Sequence, residues 1–385
     1  MLFKKKKPAK PIEIVAVPPV KAQLRRYVQF AIDLYHGNPC YVPPLVFDDI
    51  NTLMPDKNPA FEFCQAQPFM ALRDGVPVGR ITAIINSRAN EKVGKKIVRF
   101  GWMDFIDDKN VVDALFQAVR KWGKERGMTQ MVGPMGFSDM DPEGMLIEGF
   151  DEMGTMATIY NYPYYKDHME RLGFKKETDW IEFRMTVPDR IPDKYQRVAD
   201  IVKRRFNLHV VDLKNRSFVK KNLGRPIFEL INNAYKDLYG FVPLTDRQID
   251  YYIDMYLGMI RLDDVCVVAD ENENIVGVGI SIPSLSKALR SCDGKLFPTG
   301  WYNILRALHG KTDVVDLLLV AIAPEYQGKG VNALLFTQLI PSYIANGYKY
   351  AESNVELEGN ENVQKQWEYF ERRQHRRRRA WSRKV

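Results

Sequence analysis

The stretch VDLLLVAIAPEYQGKGV, residues 315–331, decides the predicted fold of this chain. Its first nine residues are almost continuously apolar, which predicts a buried strand. The loop Gln327-Gly328-Lys329-Gly330 follows, and a helical pattern begins at Val331. Glycines allow positive φ and a close approach of backbone to ligand, and the free N–H groups of a helix's first turn bind anions. The stretch therefore predicts a pyrophosphate site to which Lys329 adds a positive charge.

The spacing of this loop excludes two other phosphate sites. It matches neither the G-x-x-x-x-G-K-[ST] pattern of nucleotide hydrolases nor the G-x-G-x-x-G pattern of dinucleotide-binding folds. A tight turn that merely joins a strand to a helix is the plain alternative, since a single Gly-x-Gly is a short pattern.

The elements around this stretch predict a duplicated architecture. The order helix, helix, hairpin, strand, helix, strand, helix, strand occurs twice, and such repeats decide a fold. Residues 112–116 (VDALF) resemble residues 331–335 (VNALL), and each segment opens the central helix of its half. Prolines at 188 and 192 punctuate the chain between the halves. We therefore predict two domains, residues 1–190 and 191–385, called here the first and the second half.

Composition and charge limit the function classes. The 385 residues carry a net charge of +8, with basic runs at Lys4–Lys7 and Arg376–Arg379. Such runs suit a nucleic acid, a polyphosphate such as coenzyme A, or simple solvated tails, and we favour solvated tails. No apolar run is long enough to span a bilayer and no leader pattern follows the N-terminus, so we expect a cytoplasmic protein with no membrane partner.

Cysteine and histidine spacing gives no metal pattern. The four cysteines form no C-x-x-C pair and the five histidines form no H-E-x-x-H motif. We expect reduced thiols and no metal cofactor.

The residues that follow the central strand resemble a known superfamily. Pro324 to Val331 is similar to motif A of the GNAT acetyltransferases, Q/R-x-x-G-x-G/A, with Gln327, Gly330 and Asn332 at its Q, G and G/A places. Asn332 departs from the usual small residue. Residues 348–355 resemble the family's next strand, and the following segment resembles its asparagine-then-aromatic helix. That segment contains Asn360, Asn362, Trp367, Tyr369 and Phe370.

The first half resembles the same superfamily less strongly. Asn161 and the segment 165–174, which closes on Gly173-Phe174, are similar to the same helix. Together with residues 41–44 (YVPP) and 133–138 (GPMGFS), the whole chain resembles a group of bacterial tandem-GNAT proteins. The resemblance implies an α/β fold of mixed α+β type, with a mixed sheet in each of two tandem acyltransferase domains.

The resemblance also implies a chemistry. Acetyl-CoA or another acyl-CoA would lie between the strand ending at Ile322 and the strand starting at Tyr348. Its acyl group would pass to an amine without a covalent enzyme intermediate. The implied cofactor-binding residues are Val320, Ile322, Gln327, Gly328, Lys329, Gly330, Val331, Asn332, Asn360 and Asn362. The implied catalytic residues are Glu352 or Glu356 as general base and Tyr369 as acid, although strand carboxylates are often solvated and helix aromatics often belong to the core.

The first half is predicted to be a degenerate copy. Aligned through Val112 and Val331, residues 107–111 (DDKNV) replace the glycine loop, and two carboxylates stand where phosphates would lie. Like charges at close range repel, so we expect no coenzyme A there. The acidic loop at 139–152 either receives a cationic substrate at the cleft between the halves or is simply solvated.

Three functions fit these patterns. The first is an acyl-CoA-dependent N-acyltransferase acting on a small-molecule or peptide amine. The second is a non-catalytic coenzyme-A-binding or scaffold protein. The third is a Fem-type transferase that uses charged tRNA, which a basic groove continuous with Arg376–Arg379 would favour. Nucleic acid is the less favoured partner, and the acceptor, the acyl chain and the oligomeric state are left open.

Overall fold

The computed structural model describes residues 11–385, so the basic run Lys4–Lys7 lies outside the described residues. The strands are β1 (Glu13–Ala16), β2 (Cys64–Arg73), β3 (Val76–Asn86), β4 (Ile97–Phe105), β5 (Gln130–Gly133), β6 (Met145–Glu148), β7 (Lys175–Thr186), β8 (His209–Val210), β9 (Val265–Ala269), β10 (Ile275–Pro283), β11 (Val314–Ile322), β12 (Tyr350–Ser353), β13 (Glu356–Leu357) and β14 (Arg372–Lys384).

The helices surround this sheet. They are α1 (Lys21–Leu34), α2 (Val46–Thr52), α3 (Ser87–Val93), α4 (Lys109–Glu125), α5 (Tyr164–Arg171), α6 (Asp193–Arg205), α7 (Arg216–Phe218), α8 (Gly224–Tyr235), α9 (Asp246–Tyr256), α10 (Ser286–Ser291), α11 (Gly300–His309), α12 (Asn332–Ala345) and α13 (Glu361–Lys365). The helix expected in the segment with Asn360 and Phe370 is short, because α13 ends at Lys365 and a strand begins at Arg372.

One continuous mixed sheet runs through both halves. Its order is β1-β2-β3-β4-β5-β14-β7-β12-β11-β10-β9-β8, with β6 beside β14 and β13 beside β7. Parallel pairs occur at equivalent places, β4 with β5 and β11 with β12, and each pair is connected through a long helix, α4 or α12. These crossovers are what parallel neighbours require, and they show the same plan in each half.

The last strand of each half lies at the centre of this sheet. Strand β14 pairs with β5 and β7, whereas β7 also pairs with β12 of the second half. The halves therefore exchange strands. A boundary at residue 190 remains a prediction, and the chain beyond it returns to complete the sheet of the first half.

The central strands carry most of the apolar core on both sides of this exchange. Helix α4 buries Val112, Leu115 and Val119 against β3 and β4. In the second half, Leu335 and Leu339 of α12 pack in the core that includes β9, β10 and β11. The spacing of three and four residues puts such side chains on one face of a helix. The two helices thus hold β4 and β11 in equivalent positions.

The arginine run of β14 is part of the interior. Arg376 and Arg378 are each 1% exposed, and both donate to the Glu182 carboxylate of β7. Side chains alternate along a strand, so Arg377 and Arg379 lie on the opposite face, where both bond Asp179. Burial opposes ionisation of Glu182, but Arg378 and Arg376 outweigh it and hold its pKa below the usual range. The expected solvated C-terminal tail is therefore wrong.

Candidate active site

The glycine loop joins β11 to α12. A 3₁₀ turn at Pro324–Tyr326 follows the strand, and the chain then passes through Gly328 at φ 71° and Gly330 at φ 83°. L-residues rarely adopt these angles, which explains why glycine occupies both positions. The helix begins at Asn332 rather than Val331, one residue later than predicted, because Val331 caps it.

The loop presents a row of free backbone donors. Within residues 11–385, no hydrogen bond engages the N–H groups of Gly328, Gly330, Val331 or Asn332. Lys329 is exposed, and its ammonium lies 5.4 Å from the Phe206 ring. These donors at the N-terminus of a 14-residue helix form a site suited to a phosphate group. Gln327 does not face this site: its amide folds back and donates to the Ile322 carbonyl at 3.0 Å.

Gly330 is also required for packing. A Cβ atom at this position would lie 2.8 Å from Cγ1 of Val198 on α6, whereas one at Gly328 would meet nothing within 4 Å. Close backbone approach to α6 therefore fixes the loop on one side, and Gly328 leaves the other side open to a ligand.

Gly330→Ala is expected to lower the free energy of unfolding by about 1–3 kcal/mol through overpacking and backbone strain. Gly328→Ala has the same backbone strain without the clash and is expected to cost less. The melting temperatures of the two variants, measured by thermal unfolding, show which substitution destabilises the fold more. Val198→Ala added to Gly330→Ala should recover part of the loss, and equal melting temperatures for the two single variants would contradict this explanation.

Strands β11 and β12 diverge next to the loop. Their ladder runs from Val314–Tyr350 to Leu317–Ser353, and the Asn354 backbone and side-chain amides then bond the carbonyls of Leu317 and Leu318. Beyond this point β11 continues to Ile322 while the other chain departs. The two strands therefore separate in the region where acyl-CoA is predicted to lie.

The backbone of β11 faces this opening at Val320 and Ile322. Ala323 N–H donates to Val276 on the β10 side, so alternation turns the polar groups of Ile322 and Val320 away from β10. The Val320 carbonyl accepts a 2.7 Å hydrogen bond from the hydroxyl of Tyr235 on α8. Burial raises the pKa of that hydroxyl to about 12. Tyr235 has no motif in the sequence, and it enters the site because α8 packs across β11.

Of the predicted bases, Glu352 is tied into ion pairs. Its carboxylate lies 2.9 Å from Nε2 of His375, 3.1 Å from Nη2 of Arg376 and 3.2 Å from Nη1 of Arg184. Asp316 on the neighbouring strand is buried, and burial and then the charge of Glu352 raise its pKa to about 7. Arginine and histidine side chains thus engage both carboxylate oxygens of Glu352, so neither oxygen is left free for a substrate amine.

Glu356 has the properties of a better base. It is buried, and one carboxylate oxygen accepts a 2.7 Å hydrogen bond from the Trp367 indole. The other oxygen has no hydrogen bond from any described residue. Burial raises the pKa of this carboxyl to about 7, opposed by hydrogen bonds from Trp367 and Ser353.

The other predicted residues lie farther along the chain. Tyr369 is 46% exposed and contacts Lys194, whose ammonium lies 3.7 Å from the ring centroid. Asn360 precedes α13 and Asn362 lies on it, and their side chains form no hydrogen bond with residues 11–385. Their proposed roles stay predictions.

A cavity of about 260 Å³ lies between the two halves, next to this opening. The second half contributes Leu318, Leu319 and Asn354 to its wall. The first half contributes four carboxylates, Asp48, Asp49, Asp139 and Asp141. The remaining wall is mostly apolar, and α8 and α9 are among the elements that form it.

Within residues 11–385, no lysine, arginine or histidine forms a direct ion pair with the carboxylates of this cavity. Burial raises the pKa of Asp48 and of Asp139 to about 7 and that of Asp141 to about 6. Arg99 and Lys92 oppose the shift at Asp139, and backbone N–H groups oppose it at Asp141. One oxygen each of Asp48 and Asp139 has no hydrogen bond within residues 11–385. Asp139 and Asp141 therefore line the cavity instead of an open, solvated loop surface. A cation bound there would offset the cost of burying their charged carboxylates.

Comparison with known proteins identifies this arrangement. Residues 227–371, which contain the loop, the diverging strands and Glu356, match the model of the acetyltransferase (GNAT) family. The chain therefore contains a GNAT-family domain, residues 227–371. Its whole length also aligns with a tandem GNAT protein from the clavulanic acid biosynthesis pathway, at TM-score 0.56 and 11% identity, over 97% of this chain and 98% of that one. The predicted tandem GNAT fold is confirmed.

Two curated relatives extend over most of this GNAT protein. Protein YghO of Escherichia coli strain K12 is 29% identical over 322 residues, covering 83% of this chain and 81% of the relative. A protein named bacterial ceramide synthase, from Caulobacter vibrioides, is 28% identical over 306 residues and 77% of each chain.

The first GNAT fold has a different feature where the second has its loop. Asp108 caps α4 with its own side chain, accepting from Asn110 N–H at 2.8 Å, and it also pairs with Arg73. A carboxylate of the protein thus occupies the helix N-terminus that would otherwise bind a phosphate. This contact supports the prediction that only the second fold takes coenzyme A.

No cluster of three or more histidine, cysteine or acidic side chains within residues 11–385 is arranged to hold a metal ion. Among the same residues, no helix is both long and apolar enough to cross a bilayer.

Proposed function

We propose that this GNAT protein is an acyl-CoA-dependent N-acyltransferase with one working site, in the second half. The observation that carries the proposal is the set of free N–H groups of Gly328, Gly330, Val331 and Asn332 beside the opening between β11 and β12. The loop would hold the pyrophosphate, and acetyl-CoA or a longer acyl-CoA would extend along Val320 and Ile322. A backbone donor there would polarise the thioester carbonyl as charge develops on its oxygen.

The acceptor amine would bind in the cavity between the halves. An ammonium group would sit against Asp48, Asp139 and Asp141, and the apolar wall would take an attached hydrocarbon group. The name of the Caulobacter relative, a ceramide synthase, supports an amine on an apolar chain, since a ceramide is the amide of a long-chain amine. After loss of its proton, the amine would attack the thioester. The new C–N bond would replace the C–S bond, leaving an amide and the coenzyme A thiol.

We assign proton acceptance to Glu356, directly or through water. Glu352 is less suitable because arginine and histidine side chains engage both of its carboxylate oxygens. A general base works best with a pKa near the working pH, as the raised value for Glu356 provides. Tyr369 stays the candidate acid. A tRNA-dependent function is not favoured, because Arg376 and Arg378 are buried and paired rather than lining a basic groove.

A transfer assay tests the proposal. Purified protein is incubated with acetyl-CoA or palmitoyl-CoA and a panel of short- and long-chain amines, and thiol release and amide formation are measured. We expect transfer to a long-chain amine, and Asp139→Asn should raise the KM for the amine while leaving acyl-CoA binding unchanged. Acyl-CoA binding without any transfer would instead support the non-catalytic alternative, and no binding would contradict the proposal.

A pH profile tests the role of Glu356. Its carboxyl must be ionised to take a proton, so kcat at saturating amine, where the cavity carboxylates already hold substrate, should rise up to tenfold per pH unit below about pH 7 and level off above it. In Glu356→Gln this dependence should disappear and the rate should fall at pH 8. A Glu356→Gln profile with the same rising limb as the parent would show that another group is the base.

A further inference from the structure

An exposed aromatic surface lies on the segment between β10 and β11. Phe297 is 79% exposed, Trp301 47%, Tyr302 56% and Leu305 45%. We call these four side chains the aromatic patch. Large apolar side chains exposed singly are ordinary, but a contiguous group of them marks an interaction surface.

The patch lies on the outer side of α11. At 100° per residue, Trp301, Leu305 and Tyr302 fall within one arc of about 100°. Ile304 and Leu308 lie beyond one edge of this arc, where they pack in a buried cluster with α10. The fold therefore uses only one side of this apolar helix, and the patch contributes nothing to the core.

Basic residues are frequent in the segment that carries the patch. The segment 285–312 carries Lys287, Arg290, Lys295, Arg306 and Lys311, against the single acidic residue Asp293. All of these basic residues are exposed except Arg290, which is partly buried. Exposed basic side chains in the same segment as an exposed apolar face would complement a surface whose outer layer is anionic and whose interior is apolar.

We propose that α11 and the residues before it dock this protein on an anionic lipid bilayer surface, with the aromatic patch entering the headgroup region. Tryptophan and tyrosine favour that region, and basic side chains bind its anionic lipids. The Trp301 indole already donates to the Pro298 carbonyl at 3.0 Å, so the ring can leave water without an unsatisfied donor. The proposal does not depend on acyl transfer.

This surface is next to the cavity between the halves. Leu289 of α10 lines that cavity and belongs to the cluster that buries Ile304 and Leu308. The α10–α11 segment therefore stands between the cavity and the docking surface. An apolar acceptor held in a bilayer would have a short route to the cavity.

Vesicle binding tests the proposal with the full chain. Vesicles of phosphatidylcholine with phosphatidylglycerol are compared with phosphatidylcholine alone by flotation. Trp301 is a built-in reporter, because it is the exposed one of the tryptophans in residues 11–385. We expect co-flotation and a blue shift in tryptophan emission with the anionic vesicles only.

Three variants and a control separate the contributions of apolar and basic side chains to vesicle binding. Phe297→Ser with Trp301→Ser and Leu305→Ser should weaken vesicle binding by about tenfold or more. Lys295→Ala and Lys311→Ala should each weaken it about fivefold. Val93→Ser with Ile201→Ser, which removes two exposed apolar side chains elsewhere, should bind like the parent.

Three outcomes would overturn the proposal. These are no flotation of the parent, equal flotation of the parent and the patch variant, and a dimer in sedimentation that the patch variant abolishes without any vesicle binding. The last outcome would assign the patch to a second copy of the chain. Matching melting temperatures for all variants show that the fold is retained.

Discussion

Gly328→Glu is expected to weaken acetyl-CoA binding by at least about 100-fold. The new carboxylate would stand among the free N–H groups of Gly328, Gly330, Val331 and Asn332, where the pyrophosphate is proposed to bind. Juxtaposed like charges cost several kcal/mol, and about 2.7 kcal/mol corresponds to 100-fold. Titration calorimetry of parent and variant with acetyl-CoA measures the change.

Gly127→Glu is a matched control for this change. Gly127 follows α4 at φ 74°, Gly328 has φ 71°, and a Cβ atom meets nothing within 4 Å at either position. Both substitutions therefore add the same strain and the same charge, and they differ in place. The control should bind acetyl-CoA like the parent. Equal affinities of Gly328→Glu and the parent would remove the pyrophosphate from this loop, and no binding by the parent would remove coenzyme A from the proposed function.

Glu182→Ala is expected to destabilise the fold by roughly 3–5 kcal/mol, because it leaves buried guanidinium groups without their shared carboxylate. Glu182 is fully buried on β7, and Nε of Arg376 donates to it at 2.7 Å. These strands come from different halves of the chain, so the loss should loosen the centre of the sheet. The midpoints of thermal and urea unfolding measure the loss.

Glu148→Ala is the control for that substitution. Glu148 also pairs with an arginine of β14, Arg377, but at 3.5 Å and with 61% of its side chain exposed. Exposed ion pairs contribute about 0–1 kcal/mol, so its removal should shift the midpoints little. Similar shifts for the two variants would show that burial does not determine how much each ion pair stabilises the fold. Backbone hydrogen bonds would then be the main interaction that holds β14 in the sheet.

Local patterns in the sequence predicted the parts of the site that are built from neighbouring residues. The apolar run at 315–323, the glycines at 328 and 330 and the helix after them predicted the strand, the turn and the free helix N-terminus. Each of these depends on residues within about one turn or one strand of each other. Glu356, the proposed base, was also a candidate in the sequence, as a carboxylate just beyond the next strand.

Side chains that reach the site from distant segments were missed or misjudged. Tyr235 lies 85 residues from Val320, whose carbonyl its hydroxyl binds, and no motif surrounds it. Glu352 looked like a base because its position on the strand was visible, whereas the arginines and the histidine around it were not. The acidic residues at 139 and 141 looked equally suited to solvent or to a cleft.

The sequence by itself determined that this protein has a GNAT loop in its second half and a degenerate counterpart in its first half. Positive φ, helix dipoles and apolar periodicity are local properties, and a local pattern is enough to specify them. The tertiary structure alone decided that the arginines of β14 are buried, because that depends on Glu182 lying on the paired strand. It also decided that two strands are exchanged and that acidic residues of one half face the proposed acyl site of the other. Those outcomes depend on which surfaces meet, and burial and charge pairing are set only when they do.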